Sequence, residues 1–245
     1  MGTMGHTFDR RYVLTVVQLI SPLIAAWALF TYATLGWLLV AAVMFFLMRT
    51  VGGVITYHRI HSHRTHTMHP VMEFIGTALG FYGSFTSPVE FCATHNNHHK
   101  YVDTDKDPHP HMILGWKTLF PLLWNESTPS HGDVRTIVRL RRNKITNLFY
   151  EHFWLMLLPP FLLLLISPQA YFFIYFIPFT LSIWSAAYST FNHDESGPKN
   201  MGFWYGIISG GEHWHKQHHD QPYTTEGEGW LNVVANLIAK KRVVR

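Results

Sequence analysis

The stretch YVLTVVQLISPLIAAWALFTYATLGWLLVAAVMFFLM, residues 12–48, decides the fold because it contains no charged residue. A helix that spans a bilayer needs about 20 mainly apolar residues at about 1.5 Å each, so this stretch is long enough for two crossings. TYATLGW, 31–37, supplies polar and glycine residues for a turn between them. We predict one helix near 12–31 and a second that begins near Leu35 and continues past Arg49 into the water phase.

A second apolar stretch, residues 153–192, also lacks Asp, Glu, Lys, Arg and His. SPQA at 167–170 offers a turn, and Pro159 and Pro160 are predicted to kink the preceding helix, which neighbouring helices can tolerate in a membrane. The two hairpins predict four transmembrane helices, with the N-terminus, the 58–152 segment and the C-terminal segment on one side of the membrane.

The segment EFIGTALGFYGSFTSPVEF, 73–91, is the one rival span. It is short and rich in glycine, and it carries a glutamate near each end. If it crossed the membrane, it would separate the histidines near residue 60 from those near residue 98. We therefore predict an interfacial or buried helix instead.

Composition agrees with a membrane protein, because 48% of the residues are hydrophobic and only 14% are charged. The net charge is +4, but the basic residues flank apolar segments and form no tract with interleaved aromatics, so nucleic acid is not an expected partner. The N-terminus runs from two arginines into the apolar stretch without an Ala-x-Ala site, which indicates an anchor. We predict one integral membrane domain, 1–245, in a bacterial inner membrane, with cytoplasmic termini and active site.

Histidine is over-represented, with 18 copies in three clusters: HRIHSHRTH at 58–66, HNNHHK at 95–100 and HWHKQHH at 213–219. The His-x-x-His-His pattern of the last two places three imidazoles on one face of a helix. His58 and His63 are five apart, about 140° around an α-helix. These two would therefore reach different metals or require a break in the helix.

So many imidazoles on one side of a membrane predict metal binding, because close imidazoles repel on protonation unless a metal takes their lone pairs. The single cysteine, Cys92, leaves nitrogen and oxygen as the ligand atoms. Eight clustered imidazoles exceed what one ion accepts, since zinc sites take three or four protein ligands. Haem ligands would lie inside the long spans, which lack histidine. Two iron ions with positions open to oxygen fit best.

Three motifs occur in a recognisable order: YHRIHSHR at 57–64, HNNHHKYVDTDKDPH at 95–109 and GGEHWHKQHHDQP at 210–222. They resemble the histidine boxes of the membrane-bound fatty acyl desaturases, specifically the delta-9 or stearoyl-type branch. The closing segment WLNVVANLIAKKRVV is also similar to that family. The resemblance covers nearly the whole chain.

The resemblance implies an all-α membrane protein, with four transmembrane helices in two hairpins under a cytoplasmic helical cap that holds a non-haem diiron site. Nine residues carry over as ligands, motif by motif: His58, His63, His95, His98, His99, His193, His215, His218 and His219. The family asparagine that holds an iron through water falls on Ser189, with Asn192 nearby. His61 and His213 stand where the family commonly has Trp and Gly, and His213 is expected outside the ligand set.

The implied activity is an oxygen-dependent desaturation that introduces a cis double bond, at the delta-9 position, into a saturated acyl chain. The implied partners are a lipid bilayer, an acyl-CoA, acyl-ACP or acyl-lipid substrate, and a ferredoxin or cytochrome b5 type electron donor. The alternative is a related diiron fatty acid or hydrocarbon hydroxylase or monooxygenase. A metal transporter or sensor would need polar ligands within the spans, which are absent.

Further side chains are predicted to support this chemistry. Metal-bound histidines usually donate their second N–H to an acceptor. Four acids beside the motifs are candidates for this role: Asp103, Asp105, Asp107 and Glu212. Four tryptophans are candidates for the lining of a substrate tunnel: Trp116, Trp124, Trp184 and Trp204.

Overall fold

The computed structural model describes residues 10–123 and 132–242. The α-helices, in chain order, are α1 Arg10–Tyr32, α2 Leu35–Phe46, α3 Pro70–Ser84, α4 Pro88–Tyr101, α5 His111–Leu114, α6 Val134–Arg142, α7 Lys144–Glu151, α8 Phe153–Met156, α9 Pro168–Ala170, α10 Ile177–Tyr188, α11 Phe203–Ser209, α12 His215–Asp220 and α13 Trp230–Ile238. The π-helical stretches are Leu47–Ser62 and Tyr171–Phe176. The 3₁₀ turns are Gly115–Leu119, Pro121–Leu123, Pro159–Leu165, Ser189–Phe191 and Glu212–Trp214.

Two short antiparallel strand pairs complete the described residues. In the first, β1 His66–Thr67 pairs with β4 Lys240–Lys241, which attaches the C-terminal segment to the first histidine motif. In the second, β2 His193–Asp194 pairs with β3 Gly197–Pro198 and forms the turn that carries His193. The protein is otherwise predominantly helical, in agreement with the predicted class.

Three helices are long and apolar enough to cross a membrane: Tyr12–Tyr32, Leu35–Ser62 and Pro168–Phe191. The first two meet where the sequence predicts a turn, at residues 33 and 34, and Thr34 caps α2 by accepting a hydrogen bond from the Trp37 amide. The second helix continues past Arg49 into the first histidine motif, as predicted. Exposed apolar side chains cover the outer faces of these helices, among them Leu23, Phe30 and Leu39. Such faces suit lipid contact.

The predicted third span is less regular than expected. Its helix, Phe153–Leu165, is bent by 93° from Lys144–Glu151, so this pair counts as a fourth crossing only as a broken span. Pro159 and Pro160 lack N–H donors, and the helix there continues as a 3₁₀ turn. Because a 3₁₀ helix rises about 2 Å per residue against 1.5 Å in an α-helix, the segment is longer than an α-helix with the same number of residues.

The 73–91 segment forms parts of two helices, α3 and α4, separated by Phe85 in the left-handed conformation (φ 54°). It is not among the candidate spans of the described chain, as predicted. Helix α3 packs antiparallel to the π-helix Leu47–Ser62 through small residues, since Gly80 lies against Gly52 and Gly76 against Thr56. This close crossing positions the π-helix that carries His58 and His63.

Candidate metal centre

All nine histidines predicted as ligands lie in two neighbouring groups. The five-histidine group is His58, His63, His95, His99 and His218. The four-histidine group is His98, His193, His215 and His219. Within each group the candidate ligand nitrogens all lie within 4.8 Å of one another. Histidines distant in sequence therefore converge as the motifs predict.

The π-helical conformation resolves the spacing of the first motif. In a π-helix the hydrogen bond spans five residues, so residues five apart lie nearly above one another. The His63 amide donates to the His58 carbonyl at 3.2 Å, and the two ring centroids are 5.0 Å apart. His58 and His63 therefore join one group, without a break in the helix and without reaching different groups.

Each His-x-x-His-His motif is divided between the two groups. In α4, His95 and His99 belong to the five-histidine group, whereas His98 belongs to the other. In α12, His218 joins the five-histidine group, and His215 and His219 join the four-histidine group. Each helix thus supplies both groups. Around the helix the residues at i and i+4 lie closer to each other than to the residue at i+3, so the first two share a group and the third joins the other.

The imidazole nitrogens face one another at short range. Nε2–Nε2 distances are 2.8 Å for His58 and His218, 2.8 Å for His63 and His95, and 2.9 Å for His193 and His215. Two lone pairs at such a distance repel unless a proton or cation lies between them. A metal that binds imidazole at about 2.1 Å holds adjacent ligands about 3 Å apart. The spacing therefore suits metal ligation.

Burial disfavours protonation of His95 and His215, one member of each group. Burial lowers the pKa of His95 well below its usual range, and the neighbouring His58 and His99 lower it further. Burial likewise lowers the pKa of His215 to about 4, even with the Glu212 carboxylate nearby. Near neutral pH the lone pairs are consequently free for a cation, since the proton that would otherwise occupy them is disfavoured.

Three of the four predicted acids contact ligand candidates. The Nδ1 atoms of His58, His98 and His193 donate to Glu212 at 2.8 Å, Asp107 at 2.9 Å and Asp103 at 2.7 Å, respectively. Each carboxylate keeps the proton on the Nδ1 atom of its histidine. The Nε2 lone pair of that histidine then points into the histidine group. The fourth acid, Asp105, is exposed in the same loop.

Asp107 is the most enclosed of these acids. Its carboxylate is fully buried and also accepts from the backbone amides of Asp103 at 2.9 Å and His109 at 3.0 Å. Burial raises the pKa of Asp107, but the hydrogen bond and charge of His98 outweigh it and bring the pKa to about 2. Asp107 therefore connects the loop after α4 to the four-histidine group.

Replacing Asp107 with asparagine is expected to weaken metal binding by about 10–100-fold, the usual effect of losing a partner of a ligand histidine. The backbone amides of Asp103 and His109 donate to different oxygens of Asp107, so asparagine keeps only one of these two bonds, and a size-exclusion profile must show that the variant is folded. The measurement is competition for iron against a chelator of known affinity. Asp105→Asn, a neutralised acid in the same loop, is the control and should bind iron like the wild type. Equal affinity of both variants would contradict this role for Asp107.

Ser189 and Asn192, the two residues at the family asparagine position, differ in their surroundings. The Ser189 hydroxyl accepts from the Arg49 guanidinium at 3.0 Å and donates to the Ser185 carbonyl at 2.9 Å. Asn192 is buried, and its Nδ2 donates to the Glu212 carbonyl oxygen at 3.2 Å. Among the described residues its Oδ1 has no hydrogen-bond donor. Of these two residues, Asn192 is therefore the one whose side-chain oxygen can accept a further hydrogen bond.

The unusual His61 and His213 lie outside both groups. His61 is buried, and its Nε2 is 3.0 Å from the Thr77 hydroxyl, between the π-helix and α3. The His213 ring lies nearly parallel to Trp230, with centroids 6.3 Å apart. Both therefore pack between helices in the cap. His131, a histidine outside the three motifs, is not among the described residues.

The sequence analysis missed a buried ion pair beside the centre. Arg59 Nη1 is 3.0 Å from Glu228, its Nη2 is 3.9 Å from Glu212, and it contacts His218 Nδ1. Arg59 and Glu228 are each about 1% exposed. The available signal was an arginine inside the first histidine motif, directly after His58. Removing either partner of a buried pair leaves an uncompensated charge.

A cavity of about 720 Å³ adjoins both histidine groups, within the range of about 300–1,000 Å³ usual for ligand pockets. Its wall includes His58, His98 and His215, and apolar residues such as Phe85 and Ile183. The tryptophan prediction was wrong for the described residues. Trp116 and Trp204 are 62% and 77% exposed, and the Trp184 Nε1 donates to the Gln18 carbonyl, so that none of these three lines the cavity. Trp124 lies outside the described residues.

Comparison with known proteins gives relatives over most of the chain. The sn-1 stearoyl-lipid 9-desaturase of Anabaena variabilis is 24% identical over 83% of this chain and 78% of its own length. The sn-2 palmitoyl-lipid 9-desaturase of Nostoc sp. (strain 36) is 26% identical over 90% of this chain and 80% of its own length. A probable acyl-CoA desaturase of Schizosaccharomyces pombe is 33% identical, but over only 36% of this chain and 18% of its own. No protein-family model matches the chain.

Membrane helices, converging histidines and these relatives together define a membrane-bound oxidoreductase. More narrowly, its homologues over most of the chain are named stearoyl- and palmitoyl-lipid 9-desaturases. The resemblance inferred from the three histidine motifs is thereby confirmed.

Proposed function

We propose that the protein is an oxygen-dependent fatty acyl desaturase that introduces a cis double bond at the delta-9 position of a saturated acyl chain. The observation that carries this proposal is the convergence of nine buried or half-buried histidines beside a partly apolar cavity. The overall reaction takes two hydrogens from adjacent methylenes and two electrons and two protons from outside, and it reduces one dioxygen to two waters.

We further propose that each histidine group holds one iron ion, with His58, His63, His95, His99 and His218 around one and His98, His193, His215 and His219 around the other. The donor set supports this assignment, because neutral imidazoles at metal-ligand spacing suit iron. When bound, the two irons supply the oxidising chemistry with dioxygen that unactivated C–H bonds require. Asn192 Oδ1 is the oxygen available to a water beside the four-histidine group.

The side chains of the protein position and insulate this chemistry. Glu212, Asp107 and Asp103 hold the protons on His58, His98 and His193 at Nδ1, so that the Nε2 lone pairs stay available. Arg59 offsets the buried charges of Glu212 and Glu228. The apolar part of the cavity wall excludes water and can hold an acyl chain beside the histidines.

The membrane arrangement that fits this function has four spans in two hairpins, with the broken Phe153–Leu165 segment as the third. The cap and both termini would then face the cytoplasm, and a bacterial inner membrane is the expected location. The electrons would come from a ferredoxin or cytochrome b5 type donor. The substrate would be acyl-lipid, acyl-CoA or acyl-ACP. Among the relatives, two are named as acting on stearoyl- and palmitoyl-lipids, which favours acyl-lipid.

Expression in a bacterial host that lacks desaturase activity tests the proposal. We expect new cis-monounsaturated acyl chains, with the double bond at carbon 9, in gas chromatography with mass spectrometry of derivatised lipids. A vector-only strain is the control. Hydroxylated chains without an alkene would replace the proposal with the related hydroxylase, and unchanged lipids despite iron-loaded protein in the membrane would refute both.

A further inference from the structure

A basic patch lies at the C-terminal end of the helix Leu35–Ser62. It combines the last residue of the first histidine motif, one face of α6, and the C-terminal strand with the residue after it: Arg64, Arg135, Arg139, Arg142, Lys240 and Arg242. All but Arg139, which is half-buried, are exposed. Three separate segments thus contribute like charges to one surface.

Direct contacts hold these segments together. Arg139 donates to the His61 carbonyl at 2.5 Å, and the Arg242 amide donates to the Thr65 carbonyl at 2.9 Å. On α6, Arg135, Arg139 and Arg142 occur at positions i, i+4 and i+7, which share one side of a helix. The patch is therefore a fixed arrangement of cations and not a set of independent surface residues.

The positive charge of the patch is largely uncompensated. Burial lowers the pKa of the Arg139 guanidinium, and both Arg64 and Arg242 lower it further, whereas Asp133 has the opposite effect. Two further acids lie beside these segments, since Glu73 accepts from Asn143 next to Arg142, and Glu226 pairs with Lys241 between Lys240 and Arg242, but the cations outnumber the acids. Such repulsion destabilises the free surface and favours an anionic partner.

The position of the patch indicates a partner in the water phase. The helix Leu35–Ser62 runs from its apolar half to Arg64 at its far end, and α3 then returns antiparallel towards the membrane. Val134 and Val138, 67% and 45% exposed, lie on α6 between the arginines. Apolar residues surrounded by charge are typical of protein interfaces.

The patch also adjoins the metal centre. Arg64 directly follows His63 of the five-histidine group. Tyr223 is 71% exposed, and its ring centroid is 6.4 Å from that of His63 in an edge-on arrangement. A protein bound over the patch would therefore approach a ligand candidate with one exposed aromatic ring beside it.

We propose that the basic patch docks an acidic, one-electron redox protein, which delivers electrons to the metal centre on its His63 side. This inference rests on the proposed function, in which each turnover needs two electrons and thus two reduced carrier molecules. Each carrier is oxidised by one electron, and the two electrons complete the reduction of dioxygen to water.

The test uses the full-length protein in nanodiscs and two acidic carriers, a plant-type [2Fe–2S] ferredoxin and a cytochrome b5. Arg135→Glu and Arg142→Glu are compared with Lys117→Glu, which reverses an exposed charge near α1. Carrier binding is measured by biolayer interferometry at about 20 mM and about 500 mM NaCl, because salt screens exposed charges. Product formation is measured with each reduced carrier and, separately, with dithionite and methyl viologen.

We expect each patch variant to weaken binding of at least one carrier about tenfold at low salt and to slow carrier-driven turnover in parallel. Lys117→Glu should do neither, and all variants should keep the dithionite-driven rate. Binding of both carriers that is independent of salt and of the patch variants would overturn the proposal. The proposal would also be overturned if the patch variants lost binding to anionic vesicles but still bound both carriers like the wild type. Absence of product with dithionite would instead refute the proposed desaturase function.

Discussion

Replacing His218 with alanine is expected to abolish double-bond formation and to lower the iron bound per chain. His218 is fully buried in the five-histidine group, where its Nε2 lies 2.8 Å from His58 Nε2 and 3.0 Å from His99 Nε2. Losing a partner of a ligand histidine lowers affinity or activity about 10–100-fold, and losing a ligand itself should exceed that. We therefore expect at least a 100-fold loss of product.

Iron stoichiometry by plasma mass spectrometry and product analysis check this result. His98→Ala should lose iron and activity in the same way, because His98 belongs to the four-histidine group. His152→Ala is the control, since that exposed residue lies at the bend between α7 and α8. Size-exclusion profiles of the detergent-solubilised variants show whether the fold is kept. Full activity of a well-folded His218→Ala protein would refute the ligand assignment.

Gly52→Ala is expected to disrupt the crossing of the π-helix and α3. A Cβ at residue 52 would lie 2.5 Å from the Leu79 carbonyl carbon and 2.7 Å from Gly80 Cα. Backbone atoms cannot rotate away as a side chain can, so the two helices must separate. Overpacking of this kind costs about 1–3 kcal/mol or more, and a shift of about 1 Å in a catalytic group can reduce the rate about 100-fold.

Thermal unfolding and product analysis of Gly52→Ala should accordingly show a lower Tm and a strongly reduced rate. Gly36→Ala is the matched control, because a Cβ there meets nothing within 4 Å and alanine favours the α-helix. This variant should be at least as stable as the wild type. If both variants unfold and turn over like the wild type, the close Gly52–Gly80 crossing is not needed to position the histidines.

Membrane helices were predictable from the sequence because their cause is local composition. An uncharged run such as 12–48 can satisfy its backbone only as helix within lipid, whatever the rest of the chain does. The third span was predicted less well. Pro159 and Pro160 were visible, but the 93° bend lies before them, at His152, directly after α7, which packs against α3, α4 and α6.

The histidine site, like the membrane helices, was determined in part by the sequence and in part only by the tertiary structure. The sequence alone determined that the three clusters are metal-ligand candidates, because imidazole chemistry and helical spacing are local properties. Only the tertiary structure decided how they are shared, since α4 and α12 each supply both groups. The π-helix that unites His58 and His63, the acids that orient them and the buried Arg59–Glu228 pair depend on contacts between distant segments. No periodicity of a single segment encodes those contacts.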